Sequence, residues 1–422
     1  MTWDPVTAQP VGPERPIVVV GAGPVGMTAA ATLAHAGLPV VVVELHPEPR
    51  PDWRASTFHA ATLELLETIG ITDQMHAEGL VVPTYQFRDR ADGLVAEFDF
   101  RLLADETRYP HRLQLNQQHL VRMLYDRLRQ DPNVQLRFGT ELSGLRVEDD
   151  GPVLALRGPD GGVEELAASY VVGADGPRSA VRNAVGVAFE GFTYPEQFAI
   201  VSTSVDLQQL VPDLGHVNYV ADPQEWLFIL RTPESWRVLW PLPAGFAVEQ
   251  AEDPDYLQSV LQGVAPYPPG YPVVDQQVYR VHQRVAAAMR VGPVLLAGDA
   301  AHINSPIGGV GLNSGIHDAM DAARRLARIA RGDGDAEAEL TAYDLVRRTV
   351  AVEYVQADTQ RNTDRLRERD EAVRRQHQDD MRAIAADPEK ARAYIRRVSL
   401  LESVQRFGIG RPPAELELEA LR

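Results

Sequence analysis

The residues with the most chemistry to offer follow an apolar run, Val294-Leu-Leu-Ala297, that stops at Gly298-Asp299 and continues through Pro306-Ile-Gly308-Gly309-Val-Gly311-Leu312-Asn313. A carboxylate at the end of a buried strand can accept hydrogen bonds from a polyol. Glycines just ahead of a helix let backbone approach a flat ring, and the free N–H groups of the helix start can stabilise negative charge on it. Asp299, Gly309, Gly311, Leu312 and Asn313 are the candidates for that work, with Asp299 beside a ribityl chain and the helix amides beside a flavin. The plainer alternative is a glycine loop that merely turns the chain. His302, inside the segment, reads as a structural hydrogen-bonding group rather than a base.

Two upstream segments carry compatible chemistry. The β-branched run Ile17–Val20 is followed by Gly21-Ala-Gly23-Pro-Val-Gly26 and an Ala-rich stretch, Met27 to Ala36, that reads as helix. Gly21 permits a tight turn, Gly23 lets backbone approach a pyrophosphate, and Gly26 lets helix and strand pack closely. The helix start then presents N–H groups and a positive dipole end to phosphates. Val40–Val43 forms the next strand and ends at Glu44, near the ~20-residue spacing at which an acid accepts ribose hydroxyls. Alone, this unit does not distinguish FAD from NAD. The other segment, Tyr170-Val-Val-Gly173-Ala-Asp175-Gly176-Pro-Arg178-Ser179-x-x-Arg182, closes a strand with an Asp-Gly turn. Asp175 can orient a turn that touches both a flavin and a passing nicotinamide; an ordinary turn feeding a helix is the competing reading. Arg178 and Arg182 read equally well as surface residues.

Bulk properties narrow the class. The 422 residues are enough for two or three domains with a sizeable core. A formal net charge of −18 disfavours a general nucleic-acid partner. The absence of cysteine removes disulfides, thiolate metal sites and dithiol redox chemistry, fits a reducing compartment, and leaves no metal expected. The first residues lack a signal peptide's basic start and apolar core, so a cytoplasmic location is expected. Ile17 to Ala34 is uncharged and long enough to span a bilayer, but its glycines and proline fall where a strand–turn–helix would turn.

The remaining elements must position these segments. Helices are expected over Ala60–Thr68 and Gln117–Gln130, the latter with Leu120, Leu124 and Leu128 at four-residue spacing. Short strands with turn signals between Val134 and Ala174 read as a β-meander inserted in the nucleotide unit. From about Phe198 to Val285 strand-like runs recur between prolines, and Trp236, Val238 and Trp240 give one strand a strongly apolar face. The expected organisation is α/β: a Rossmann-like domain over 15–185 with a substrate-side insertion near 80–112, a mainly antiparallel sheet over 186–284, a return over 285–332, and a helical region over 333–422. In that last region the stretch beginning Arg361-Asn-Thr-Asp-Arg365 reads as a solvated helix laced with ion pairs.

The segments GAGPVG, VVGADGPRSAVR and AGDAAHINSPIGGVGLN together resemble the three signatures of single-component FAD-dependent aromatic hydroxylases, the p-hydroxybenzoate hydroxylase-like group A flavoprotein monooxygenases. The resemblance runs from Ile17 to about Leu326 and implies a Rossmann-like FAD-binding domain of glutathione-reductase type, interleaved with a substrate sheet. It further implies that Arg54 resembles an arginine on the FAD pyrophosphate, Gln117 (with Gln118 as the competing register) a glutamine beside the flavin, and Pro306 a proline whose carbonyl faces the substrate ring. The implied reaction uses NADH or NADPH to reduce bound FAD, then O2 to form a flavin C4a-hydroperoxide that hydroxylates a phenolic or other electron-rich aromatic molecule. The helix continuing His317-Asp318-Ala-Met-Asp321 departs from the pattern of relatives and weakens transfer around Asp321.

Competing readings share the signatures: an epoxidase, a Baeyer–Villiger monooxygenase, or an FAD-containing protein that binds a ligand without turnover. Candidate substrate contacts in the sheet are His216, Asn218, Tyr219, Trp226, Arg231, Arg237 and Trp240, of which strand alternation lets only some face a pocket. Oligomeric state stays open, a homodimer included.

Overall fold

A computed structural model describes residues 15–51, 53 and 55–421. Ile17–Val20 and the first four residues of Val40–Glu44 are all β-branched and buried, as strands covered on both faces must be. They lie in a six-stranded sheet whose order places Val294–Leu296, Tyr170–Gly173, Ile17–Val20 and Val40–Glu44 side by side and parallel. The helix Pro24–His35 starts three residues earlier than its composition suggests, because Pro24 occupies the first turn, where a missing N–H costs nothing. The apolar stretch Ile17 to Ala34 is therefore strand, turn and helix, and among the described residues no helix is long and apolar enough to cross a membrane.

Val134–Phe138 corrects the meander reading: it pairs parallel with Val40–Glu44 as the edge of the nucleotide sheet. Its alternation of apolar with Gln135 and Arg137 mimics an antiparallel strand because an edge strand is only partly covered. The antiparallel meander is confined to Glu141–Glu148, Gly151–Arg157 and Val163–Ala167.

The second layer is an eight-stranded sheet, antiparallel except where Val217–Ala221 runs parallel to Thr84–Asp89. Alternation along its strands creates two cores. Trp236, Val238 and Trp240 join Leu227 and Ile229 on one face, which packs with Leu257 and Leu261 of the helix Pro254–Val264. Leu239, Phe228 and Tyr219 lie in a separate core that also contains Met381, Ile395, Leu401 and Phe407 of the C-terminal helices. Those helices dock by one apolar face, while most of 371–380 is exposed and laced with ion pairs such as Arg375–Glu371 and Arg382–Asp379, as the sequence leads one to expect. Around their apolar contacts Arg392 and Arg396 reach back to Glu106, and Arg392 also pairs with Asp105 at 2.7 Å.

The crossing of the first helix over its strand tolerates no side chain. A Cβ on Gly26 would lie 1.9 Å from the Gly21 carbonyl oxygen, whereas a Cβ on Gly23 would meet nothing within 4 Å. Gly26→Ala is therefore expected to cost about 3 kcal/mol or more in urea unfolding of the FAD-free protein, and Gly23→Ala under about 1 kcal/mol. Equal losses in the two variants would contradict this packing.

Candidate functional site

The three glycine-rich segments follow three adjacent strands of the nucleotide sheet and meet at one rim. Backbone bonds fix their alignment: Gly21 N–H to Val43 O at 2.7 Å, Ala174 N–H to Val20 O at 2.8 Å, and Ala297 N–H to Gly173 O at 2.9 Å. Gly21, at φ +102°, is pressed against the next segment so closely that a Cβ would sit 2.4 Å from Ala174 O. The helix start at Gly23 has no side-chain cap and no acid in its first turn, so its amides are left for an outside anion. Glu44 accepts the Ala22 N–H at 2.7 Å and the His46 N–H at 2.9 Å, which holds its carboxylate over the glycine turn with lone pairs remaining.

Asp175 accepts the Val181 N–H at 3.1 Å through Oδ2, while its buried Oδ1 has no partner. Burial pushes its carboxyl above the usual range. Arg182 is not a surface residue: it is buried, donates to Ala300 O at 2.8 Å and Pro177 O at 2.9 Å, and lies 3.9 Å over the Phe189 ring. It ties the Asp175 turn to the Asp299 segment. Arg178 is exposed.

Asp299 is exposed at the rim, beside a Gly298 held at φ +60°. Beneath it sits a buried ion network. Asp318 accepts the Gly298 N–H at 3.0 Å and His302 Nε2 at 2.7 Å on one oxygen, and Arg347 Nε at 2.6 Å on the other. Burial opposes charge on Asp318, but Arg347 and His302 outweigh it and hold the carboxyl below its usual range. His302 is thus a structural group. Asp321, set apart by the departing helix pattern, pairs with Arg325 at 3.0 Å and plays no part at the rim.

The helix Gly311–Arg331 also starts without a side-chain cap or a first-turn acid. Gly311, Leu312 and Asn313 supply its leading amides. The Asn313 side chain is committed to protein: it accepts the His59 N–H at 2.8 Å and donates to Thr57 O at 2.8 Å and Gly309 O at 2.6 Å. His59, fully buried, bonds through Nε2 to Gly308 O at 3.1 Å. Pro306 accepts the Gly309 N–H at 3.0 Å, so its carbonyl closes a turn. Gln117 begins its helix buried, with its N–H on Ala55 O at 2.9 Å, while Gln118 is half-buried. Arg54 lies outside the described residues.

Open space over Gly23, two uncapped helix starts, a partnerless buried Asp175 oxygen and the exposed Asp299 are features that would suit FAD. No part of this cradle requires a second nucleotide fold.

A cavity of about 510 Å³, open mouth included, adjoins the glycine loop. Ile307, Gly308 and Val310 form one wall, and Tyr85 and Tyr219 contribute aromatic rings from the large sheet. Arg112 is 2% exposed and stands over the rings of Tyr85 at 4.4 Å and Phe100 at 5.2 Å, donating to Tyr219 Oη at 3.3 Å. The helix Ala357–Leu366 adds Asp358, Asn362 and Arg365, and Tyr394 comes from Pro388–Val398.

Of the seven sheet residues read as substrate contacts, only Tyr219 reaches this cavity. Trp240 packs in the opposite core, Trp226 rests on Phe198 at 5.1 Å, and Asn218 bonds Gly215 O at 2.6 Å. Arg237 is buried, donates to Asn116 and sits 5.5 Å over Trp53. His216 and Arg231 lie by Trp236, at 6.2 and 5.9 Å. The solvated reading of the charged stretch fails at Asn362 and Arg365, which face the cavity. Arg112, His59 and Asp318 carried no local signal, since each meets its partners through the fold.

The model of the FAD binding domain family matches residues 14–358. Para-nitrophenol 4-monooxygenase of Pseudomonas sp. strain WBC-3 is 33% identical over 85% of this chain and 89% of its own length. Pentachlorophenol 4-monooxygenase of Sphingobium chlorophenolicum is 30% identical over 79% of this chain and 62% of its own. The crystal structure of p-nitrophenol 4-monooxygenase from Pseudomonas putida DLL-E4 superposes with a TM-score of 0.86 at 30% identity, covering 91% of this chain and 98% of that one. Aklavinone-11 hydroxylase, solved with FAD and aklavinone, gives 0.74 at 28% identity, covering 84% and 69%.

Two imidazoles around the glycine loop give a pH signature. Burial, reinforced by Arg112, keeps His59 well below its ordinary value, and burial with Arg347 pushes His317 down to about 3. Both stay neutral in the folded protein while the unfolded chain takes up protons below about pH 6.5. Stability therefore falls as pH drops below about 6.5, for His317 by about 1.4 kcal/mol per pH unit, with His59 acting in the same direction. Urea unfolding between pH 7 and 5 should show this slope reduced by about that amount in His317→Gln. A slope untouched by the substitution would mean that the imidazole is protonated in place.

Proposed function

The chain belongs to the family of single-component FAD-dependent aromatic hydroxylases, and from that premise we propose that it uses NADH or NADPH and O2 to hydroxylate a one-ring phenol. In balance, the arene, O2, NAD(P)H and a proton give the phenolic product, water and NAD(P)+. FAD supplies the electron relay and the activation of O2. The observation that carries the reading is the shared wall: Ile307, Gly308 and Val310 line the cavity and run directly into the uncapped helix start at Gly311. A ring in the cavity and a flavin on those amides would be separated only by this loop.

The chain's own residues divide the work. Gly23 and the first helix start receive the pyrophosphate, Glu44 the ribose, and Asp299 the ribityl hydroxyls. Asp175 holds the turn at the flavin edge. Amides of Gly311, Leu312 and Asn313 stabilise negative charge on the ring system. Pro306 acts through backbone, its turn with Gly309 carrying Ile307 and Gly308 into the cavity wall. Tyr85, Tyr219 and Tyr394 enclose the substrate and exclude water. The relatives named for para-nitrophenol and pentachlorophenol support a phenol as substrate class.

The FAD-loaded protein should oxidise NADH or NADPH faster when a suitable phenol is added, with close to one oxygenated product per nicotinamide consumed by mass spectrometry. Tight phenol binding without stimulated oxidation, across a panel of phenol, 4-nitrophenol and 4-hydroxybenzoate, would overturn the catalytic reading in favour of a ligand-binding protein. Oxygen inserted into a carbon–carbon bond or an epoxide would replace hydroxylation with a sister reaction.

A further inference from the structure

The helix Ala357–Leu366 pairs almost all its polar side chains within the protein. Arg361 and Arg397 pair with Asp358, the latter at 3.0 Å, and Arg367 with Asp364 at 2.6 Å. Gln360 bonds Tyr194 Oη at 2.6 Å and Thr363 bonds Ser305 Oγ at 3.2 Å. Among the described residues Asn362 and Arg365 have no hydrogen bond or ion pair, and these two face the cavity. They are three apart, so they share one face of the helix. The Asn362 amide nitrogen lies 3.5 Å from where a Cβ on Gly308 would stand, so it overlooks the loop at the flavin end.

Charge accounting points the same way. Arg112 also lines the cavity, is 2% exposed, has a buried Nε without a partner, and makes no ion pair among the described residues. Its contacts are aromatic rings and one hydroxyl. Among the described residues that line the cavity the one carboxylate, Asp358, is held by two other arginines. Two guanidiniums, which keep their charge in proteins, thus face the cavity without a carboxylate of their own. An unpaired buried cation is costly, and an anionic ligand offsets that cost.

We infer that Arg365 and Asn362 are specificity-determining residues that read an anionic oxygen group on the aromatic ligand, with Arg112 supplying a second, more deeply buried positive charge. The ligand is a phenol bearing a carboxylate, or a phenolate whose charge is delocalised onto a nitro group; both present planar paired oxygens to a planar fork of donors. The inference rests on the cavity being the substrate site.

The test is titration of the FAD-loaded protein, read by perturbation of flavin absorbance, with 4-hydroxybenzoate, 4-nitrophenol above its own ionisation, and the neutral 4-hydroxybenzyl alcohol. One of the two anions should bind at least about tenfold more tightly than the alcohol. Arg365→Gln should abolish that preference while leaving alcohol affinity and melting temperature unchanged, and Arg365→Lys should restore part of it. In turnover, Arg365→Gln should raise KM for the preferred anion about tenfold with little change in kcat. Which anion wins identifies the source of the charge. No anion preference in the parent protein, or a preference that survives Arg365→Gln, would overturn the inference. Anion binding lost in Arg365→Gln, in a protein that no phenol stimulates to oxidise NAD(P)H, would sustain the inference and defeat the monooxygenase reading.

Discussion

Three strands that are distant in sequence, Ile17–Val20, Tyr170–Gly173 and Val294–Leu296, run parallel as immediate neighbours and end at one level. The site depends on that alignment. In an open parallel sheet, ligands bind beyond the carboxyl ends of the strands, and here each strand delivers one glycine-rich turn to the same rim. Their contact is close enough that Gly21 and Gly26 cannot carry side chains. Slipping one strand by a single residue would move its turn about 3.3 Å out of line with the other two. Four consecutive buried β-branched residues in Ile17–Val20 make this register costly to lose.

Around that rim the buried polar groups connect layers. Asp318 joins the Gly298 turn, His302 and Arg347, so the turn that carries Asp299 is anchored to the helix Ala336–Val350. Removing such an acid would leave Arg347 with a buried, unpaired charge, a defect of about 3–5 kcal/mol. Asn313 and His59 perform a neutral version of the same task, holding Gly308 and Gly309 through their carbonyls where the loop borders the cavity. The C-terminal helices complete the cavity because their apolar faces enter the same core as the substrate sheet. The sheet and the C-terminal helices that line the cavity therefore share one core.

Much of this could be read from the sequence, for a physical reason. Turns that carry cofactors need glycine at fixed offsets from a strand, so GAGPVG, GADGPRS and GDAAHINSPIGGVG mark themselves, and Trp236, Val238 and Trp240 mark a buried face by period alone. Interactions between distant segments leave no such period. His302 read as structural, but Asp318, its partner, did not stand out, and neither Arg112 nor His59 belongs to a local pattern. Asn362 and Arg365 sit in a stretch so rich in paired charges that two unpaired members look the same as their neighbours until the partners are known. Val134–Phe138 was misleading for the opposite reason: its pattern is clear, but an edge strand and a meander strand produce the same one.

The proposed reaction requires that the three turns grip one FAD jointly. The most direct measurement is an electron-density map of the protein crystallised with FAD. Pyrophosphate is expected over Gly23, ribityl hydroxyls at Asp299, and the flavin ring against the helix start at Gly311. A protein that binds no FAD, or density for it away from the rim where these strands end, would contradict it.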